Sequence, residues 1–257
     1  MLIKLEIKAE LIKINQSPRN LEPVSDEYII SSEETILDAG CGYGGRSLRI
    51  GREFGSHVIS VDLSLTCLKS IQSSKNGSNI DLVHADVQYL PLKDSSIDKI
   101  VCADVLEHVP DVVFTLKGFE RSLKKSGMIF LLVPSEISEK LYAKLDNKYI
   151  EHKDHLRTFE AEQFCSLVQS GGFKVINIYH AEFFRAIYHL LQVLTGSKFE
   201  HQTGRPVKEN EGLSVVWGIS RILYYSWVGS FFERIGRFIL PNSLIIVASK
   251  KSNPFKM

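Results

Sequence analysis

Three features are scarce or missing in this sequence, and each absence argues against a class of protein. The first is an excess of charge of one sign, because 31 Lys and Arg stand against 30 Asp and Glu and leave a net charge of +1. Proteins that hold nucleic acid through its phosphates carry a basic face or a high pI. We therefore expect no nucleic-acid partner.

Cysteine is scarce as well. The chain has four cysteines, and they are scattered without the spacing of metal ligands: Cys41, Cys67, Cys102 and Cys165. Such a pattern is typical of a protein in a reducing compartment rather than of a disulfide framework or a metal site. We predict a cytoplasmic protein without a metal site, and we assign the cysteines no chemistry.

Long uncharged apolar runs are also missing. Residues 1–14 are rich in apolar side chains, but Lys and Glu interrupt them too often for a secretory signal. Residues 213–240 are strongly apolar, yet Arg221 falls inside the only window long enough to cross a bilayer, at a cost of about 3 kcal/mol. We therefore predict that no segment spans a membrane.

A glycine-rich turn directly after a short apolar strand is the most informative feature that the chain does have. Residues 35–45 read Thr-Ile-Leu-Asp-Ala-Gly-Cys-Gly-Tyr-Gly-Gly. Glycine permits a positive φ and lets backbone lie against a ligand without a Cβ between them. A helix is predicted over residues 46–55, so its unpaired N–H groups and dipole should face an anionic group held by the turn. The turn is a candidate ligand-binding loop.

Two families of cofactor fit this loop. The spacing Gly40-x-Gly42-x-x-Gly45, with the acidic Asp62 about twenty residues on, satisfies the fingerprint of dinucleotide-binding proteins. A pyrophosphate, however, needs N–H donors only. The carboxylate of Asp38, two residues before the first glycine, suits a cofactor that carries an ammonium group.

The same residues, written Asp38-x-Gly40-x-Gly42-x-Gly44, resemble the first motif of the class I methyltransferases that use S-adenosylmethionine. The strand at residues 57–62 ends in a carboxylate that can accept both ribose hydroxyls. Residues 81–92 resemble the third motif of that family, in which Asp86 would meet the adenine amino group and Val87 would pack on the ring.

Two further segments resemble the type 11 group of these enzymes, which includes enzymes of ubiquinone and menaquinone synthesis. Residues 96–111 are similar to its strand followed by Glu-His-Val, and residues 152–159 to its His-x-Arg-x-Phe stretch. The resemblance implies S-adenosylmethionine as the cofactor. It also implies the cofactor-binding residues Asp38, Gly40, Cys41, Gly42, Gly44, Asp62, Leu63, Asp86, Val87 and Ala103.

The plain structural alternative is that the glycines only form a tight turn and that the aspartates only cap helices. Each residue taken alone allows that interpretation. Applied to all of them at once, this alternative would require Asp38, Asp62 and Asp86 to stand at the ends of three successive strands by chance.

Short β-branched runs alternate with helical stretches from residue 35 to residue 172, which is typical of βαβ units. We predict an α/β fold with a doubly wound, mostly parallel, seven-stranded sheet. The predicted strands lie near residues 35–39, 57–61, 80–83, 97–103, 127–133, 174–179 and 243–249. Residues 125–127 are predicted as a helix exit, Thr158 as an N-cap and Gly171 as a helix stop.

One domain over residues 1–257 is predicted, with a helical insertion at residues 181–241 before the last strand. Residues 182–195 form a predicted helix, and the aromatic residues 213–240 have several interpretations. They could form a lid over the acceptor site, a peripheral membrane contact with arginines at the headgroups, or a dimer interface. The plain alternative is a satellite core.

Methyl transfer from a sulfonium is an in-line displacement, so alignment of the reactants supplies most of the rate and no nucleophilic residue is needed. A phenol, enol or acidic carbon as acceptor would gain from a general base. The candidates are His108, His152 and His155, of which we favour His155. His108 could instead pair with Glu107, and His155 could simply anchor its loop.

The sequence therefore predicts an S-adenosylmethionine-dependent methyltransferase that acts on a small acceptor, for which a lipophilic molecule fits the aromatic insertion best. Two alternatives stay open. One is an NAD-dependent oxidoreductase, and the other is a non-catalytic protein that binds the cofactor or serves as a scaffold.

Overall fold

The structure, a computed structural model, describes residues 30–146, 149, 154–194 and 227–251. Several sequence-based expectations fall outside the described residues. They concern residues 1–14, His152, and residues 195–226 of the insertion, which include Arg221.

Within the described residues, seven strands form one sheet in the order β3-β2-β1-β4-β5-β7-β6. The strands are β1 (Thr35–Ala39), β2 (His57–Asp62), β3 (Ile80–His84), β4 (Ile97–Ala103), β5 (Leu123–Pro134), β6 (Phe173–Ala181) and β7 (Ser243–Lys250). Strand β1 pairs in parallel with β2 and β4, β2 with β3, and β4 with β5. The predicted doubly wound, mostly parallel sheet is confirmed.

The strand order reverses between β1 and β4. The chain runs from β1 outward through β2 to β3, and then returns to place β4 on the other side of β1. In open α/β sheets, ligands bind outside the carboxyl ends of the strands at such a reversal. The glycine loop that follows β1 lies at this point.

Seven helices lie among the described residues, and none of them is long and apolar enough to cross a membrane. They are α1 (Gly45–Glu53), α2 (Leu65–Ser74), α3 (Val112–Ser122), α4 (Glu136–Leu145), α5 (Ala161–Ser170), α6 (Phe183–Leu194) and α7 (Trp227–Gly236). Short polar side chains begin several of them. Ser64 accepts the Cys67 N–H at 3.3 Å at the start of α2, and Asp111 accepts the Phe114 N–H at 2.9 Å at the start of α3.

The described residues divide into two compact units. The sheet unit comprises Ile30–Val133, Glu160–Ile178 and the chain from Ile245 onward. Its core consists of fully buried strand residues, among them Ile36, Leu37, Val58, Ile100 and Leu131. The single-domain organisation of the chain stays a prediction.

The helical unit comprises Pro134–Phe159 and Tyr179–Leu244. The buried Tyr142 hydroxyl donates to the Ala186 carbonyl at 2.9 Å, which ties α4 to α6. On α6, the buried His189 Nδ1 lies 3.0 Å from Asn242 Oδ1. Buried aromatic rings with satisfied polar tips hold this unit together.

Two predicted boundaries were wrong. Strand β5 begins at Leu123, where residues 125–127 were predicted to end a helix. A Cβ on Gly127 would lie 2.9 Å from the Asp98 carbonyl oxygen, so this glycine permits a close approach of backbone inside the strand. Thr158 is not an N-cap, because Phe159 forms a parallel bridge with Ser135 and α5 begins only at Ala161. The predicted stop at Gly171 is confirmed.

Candidate functional site

The glycine loop folds back over the end of β2. The N–H groups of Gly40 and Cys41 both donate to the Val61 carbonyl, at 2.8 and 3.0 Å. Gly44 has φ +77°, and a Cβ on it would lie 2.3 Å from Ile71 Cγ1. Since Ile71 is fully buried, the loop requires glycine at position 44 both for its backbone angle and for space.

Asp62, at the end of β2, fastens the loop. Its Oδ2 accepts the Gly42 N–H and its Oδ1 accepts the Ser64 N–H, each at 2.8 Å. A carboxylate oxygen has two lone pairs, so both oxygens keep capacity for a further donor. A Cβ on Gly42 would meet no atom within 4 Å, which leaves open space beside this carboxylate. Asp62 and Gly42 thus form an open cradle with an acceptor for hydroxyl groups.

Asp38 has a different environment from the one that the sequence suggested. It is fully buried, and its two oxygens accept hydrogen bonds from Arg46 Nη1 at 2.7 Å and Ser47 Oγ at 2.6 Å. The Ser60 hydroxyl donates to Ser47 Oγ at 2.8 Å and extends the buried network. The predicted direct contact of Asp38 with an ammonium group stays a prediction.

Arg46 neutralises the buried Asp38 carboxylate. Burial disfavours the charged guanidinium, but the attraction and hydrogen bond of Asp38 outweigh this cost, and the pKa of Arg46 is raised. Breaking a buried ion pair by removing one partner is expensive because the other charge stays behind. The pair therefore fixes the first turn of α1 to the end of β1.

We expect Arg46→Met to lower the free energy of unfolding by about 3 kcal/mol, near the low end for buried pairs because Arg46 keeps 26% of its side chain exposed. Urea unfolding measures the loss. Arg52→Met on the same helix is the control. In the described part of the chain, exposed Arg52 donates just one hydrogen bond, to the Ser74 carbonyl, so its loss should change stability by less than about 1 kcal/mol. Equal losses in both variants would contradict this role.

Asp86 and Val87 lie just after β3. The Asp86 carboxylate accepts the Gln88 N–H at 2.8 Å and the Gln88 side-chain amide at 3.2 Å, so it caps a short 3-10 helix, Val87–Tyr89. Val87 is 6% exposed. The capping role that the sequence left open for the aspartates is therefore present here, and the adenine contact stays a prediction.

Other predicted cofactor residues lie at the same edge of the sheet. Strand pairing aligns Ala39 with Cys102, directly before Ala103 at the end of β4. Leu63 follows β2 and is 67% exposed, which leaves an apolar surface beside Asp62. Burial raises the pKa of the Cys41 thiol, and Asp38 and Asp62 add to the effect, so the thiol is neutral and inert.

His155 belongs to the helical unit and is held there by a buried carboxylate. Its Nδ1 lies 2.7 Å from Glu139 Oε2, and the two side chains are 7% and 3% exposed. The Tyr149 hydroxyl donates to Glu139 Oε1 at 2.8 Å. Because a carboxylate only accepts, the neutral His155 ring carries its proton on Nδ1 and has its lone pair on Nε2.

His108 lies in the sheet unit and is less constrained. Its side chain is 40% exposed, and its Nε2 is 3.9 Å from Oε1 of the buried Glu107, which is beyond hydrogen-bond distance. The pairing with Glu107 that the sequence suggested for His108 is therefore a long ion-pair contact and not a hydrogen bond. His155 is held by the buried Glu139, and the catalytic role of both histidines stays a prediction.

Sequence reasoning missed two sets of residues. Arg46 and Ser47 were included in a helix, but nothing in the sequence indicated that they fold back onto Asp38. Glu139 was missed because α4 buries Ser138, Glu139 and Tyr142 together, and an apolar stripe does not reveal a buried acid. A buried acid beside a histidine sixteen residues away leaves no periodic signal.

The similarity to known proteins agrees with this geometry. A family model described as a methyltransferase domain matches residues 37–131. A demethylmenaquinone methyltransferase of Staphylococcus saprophyticus is 33% identical over 129 residues, which cover 49% of this chain and 55% of that protein. The chain thus spans about half the length of this curated relative.

Solved structures share the fold over most of the chain. The geranyl diphosphate C-methyltransferase of Streptomyces coelicolor A3(2) has a TM-score of 0.59 at 15% identity and covers 86% of this chain and 72% of its own. The cyclase SpnF has the same TM-score at 16% identity, with 87% of this chain and 78% of its own covered. These likenesses establish the fold alone. The family match over residues 37–131 and the sequence relatives support the resemblance to class I S-adenosylmethionine-dependent methyltransferases of the type 11 group, and the solved structures agree with it in fold.

Proposed function

We propose that this chain transfers a methyl group from S-adenosylmethionine to a small, lipophilic acceptor. The observation that carries the proposal is the glycine loop fastened by Asp62 at the point where the strand order reverses. The open cradle beside Gly42 and the exposed Leu63 fit an adenosyl group with its sugar at Asp62. Asp86 and Val87 would hold the purine.

The lipophilic acceptor is inferred from two sources. The names of sequence relatives specify demethylmenaquinone, a lipophilic quinone, as the molecule that those enzymes methylate. The segment 181–241 of this chain is rich in aromatic and aliphatic residues, which favour apolar ligands. We also propose one domain over residues 1–257, a cytoplasmic location and peripheral contact with a membrane.

The cofactor, when bound, supplies an electrophilic methyl group on a sulfonium. The loop at residues 40–44 would fix the position of that group, and alignment with the acceptor then provides most of the acceleration. His155 would accept the proton that the acceptor loses, through the Nε2 lone pair. Glu139 acts through His155 as a positioning residue, because it holds the proton on Nδ1.

Incubation of the full chain with methyl-labelled S-adenosylmethionine and a demethylated naphthoquinol tests the function. We expect a labelled quinone product. A rise in melting temperature with NAD but not with S-adenosylhomocysteine would refute the choice of cofactor. Cofactor binding without methyl transfer to quinol, phenol or amine acceptors would refute the enzymatic activity.

Asp62→Asn should raise the Kd for S-adenosylhomocysteine by roughly 30- to 100-fold, because the charged acceptor for the ribose and one tie to the loop are lost. Isothermal titration calorimetry measures the change. Asp81→Asn is the matched control, since Asp81 lies on β3, is 69% exposed and, among the described residues, pairs with His57 alone. Its Kd should stay within about twofold of the parent value. Equal affinities in both variants would exclude Asp62 from the site.

A further inference from the structure

Helix α7 has its apolar side turned outward. Phe231 is 58% exposed, Phe232 54% and Ile235 48%. After the helix, the N–H groups of Phe238 and Ile239 bond to carbonyls three residues back, so the chain keeps winding, and these two residues are 68% and 71% exposed. The five side chains recur at the spacing of one helical face. We call them the α7 apolar face.

The opposite side of α7 carries its acid. Glu233 is 8% exposed and accepts the N–H groups of Phe183 and Phe184 at 2.8 and 3.2 Å, at the start of α6. Gly236 packs against the Phe183 ring so closely that a Cβ would lie 2.3 Å from it. These contacts fix the rotation of α7 about its axis. The helix buries its acidic residue and exposes its apolar side chains, whereas a surface helix usually does the opposite.

Within the segment 231–239, the charged side chains that are not buried are both basic. Arg234 is exposed, whereas Arg237 is half-buried and its guanidinium lies over the Phe238 ring at 5.1 Å. The acid of the segment 231–239, Glu233, is buried with both oxygens bonded. The outward surface of this segment is therefore apolar and basic.

The α7 apolar face is as large as the largest apolar patch of a typical monomer, and patches of that size are often functional. Five half-exposed aromatic and aliphatic side chains present on the order of 500 Å² of apolar area, whereas scattered exposed residues are normal on monomers. A two-fold dimer contact would bring the same patch against itself and oppose arginine to arginine. A partner surface that carries negative charge and has an apolar interior would complement both the basic residues and the apolar side chains of the face.

We propose that the α7 apolar face inserts into the surface of a membrane that contains anionic lipid, with Arg234 and Arg237 at the headgroups. The partner is the lipid surface itself. Apolar side chains in the interface plane with basic residues at the rim are the pattern of helices that lie on a membrane without crossing it.

Liposome flotation of the full chain tests this inference without any methyl donor. We expect flotation with vesicles of phosphatidylcholine and phosphatidylglycerol, and little with phosphatidylcholine alone. The double variant Phe238→Ser/Ile239→Ser should lower the bound fraction roughly tenfold, because two of the most exposed apolar groups are lost. Arg234→Glu should lower it at least about fivefold, in a manner that depends on salt.

The matched control is Ile176→Ser/Ile178→Ser on β6, where two aliphatic side chains are 38% and 40% exposed. This variant should float as the parent does. Equal flotation of all variants would overturn the proposal, as would absence of flotation of the parent. A concentration-dependent dimer that Phe238→Ser/Ile239→Ser dissociates, without flotation, would assign the face to a second copy. The affinity for S-adenosylhomocysteine, measured in the same preparations, reports on the proposed function separately.

Discussion

His155→Asn should lower kcat by roughly 10²- to 10⁴-fold while the Kd for S-adenosylhomocysteine stays unchanged, because the variant keeps a donor for Glu139 but lacks the proton acceptor. The asparagine amide takes the place of Nδ1–H, so the buried Glu139 carboxylate keeps both partners, Tyr149 and the new amide. The fold should therefore persist. Steady-state kinetics with the quinol acceptor, together with calorimetric titration, measures both quantities.

The positioning role of Glu139 has its own readout. Glu139→Gln offers one acceptor oxygen in place of two, so Tyr149 and His155 compete for it, and the imidazole can place its proton on Nε2. We expect kcat to fall about tenfold or more with little change in KM, since an incorrect tautomer impairs the chemical step only.

A second histidine–carboxylate pair supplies the control for both variants. His57 Nε2 lies 2.9 Å from Asp81 Oδ2 in the sheet unit, and both side chains are more exposed than those of His155 and Glu139. His57→Gln should leave kcat unchanged. If His155→Asn retains full kcat with the quinol, His155 only anchors its loop.

Gly44→Ala should lower the free energy of unfolding by about 4 kcal/mol, from roughly 1–2 kcal/mol of backbone strain at φ +77° and the remainder from overpacking. The added Cβ would lie 2.3 Å from Ile71 Cγ1 and 2.6 Å from Cδ1, and the fully buried Ile71 has no room to turn aside. Chemical denaturation measures the loss. Affinity for S-adenosylhomocysteine should fall as well, because the loop must shift.

Gly77→Ala is the control that distinguishes backbone strain from steric overlap with neighbouring side chains. Gly77 has φ +79°, almost the same angle, but a Cβ there would meet no atom within 4 Å. This control should lose only about 1–2 kcal/mol, the cost of the backbone angle alone. Similar losses at both glycines would mean that Ile71 yields freely and that the loop tolerates a side chain.

The sequence was sufficient for those parts of the fold that local pattern determines. Short β-branched runs located all seven strands, and the central strands β1 and β4 are apolar almost throughout because they are buried on both faces. The start of β5 was missed since residues 124–127 read Lys-Lys-Ser-Gly, which is not a strand pattern. The stretch is extended because it lies beside β4, where Lys124 bonds to the Asp98 carboxylate. Thr158 was misread because a tertiary bridge to Ser135 outweighs its capping preference.

The candidate site divides in the same manner. The glycines follow directly on β1 and Asp62 ends β2, so their places at the ends of these strands could be predicted, but the bond between Asp62 and the Gly42 N–H could not. The partners of Asp38 and His155 could not, because Arg46 and Glu139 are chosen by how helices pack after folding. Burial of a charge is a tertiary property, so the sequence did not show that Asp38 is half of an ion pair.

The bond between Asp62 and the Gly42 N–H implies that the cofactor pocket is preorganised. Because the Asp62 carboxylate already bonds to the loop, the loop backbone has its final conformation before the adenosyl group binds. Binding therefore costs little conformational entropy. We therefore expect the loop to change its conformation little when the cofactor binds. The Asp62 carboxylate would then both bind the ribose and keep the loop rigid.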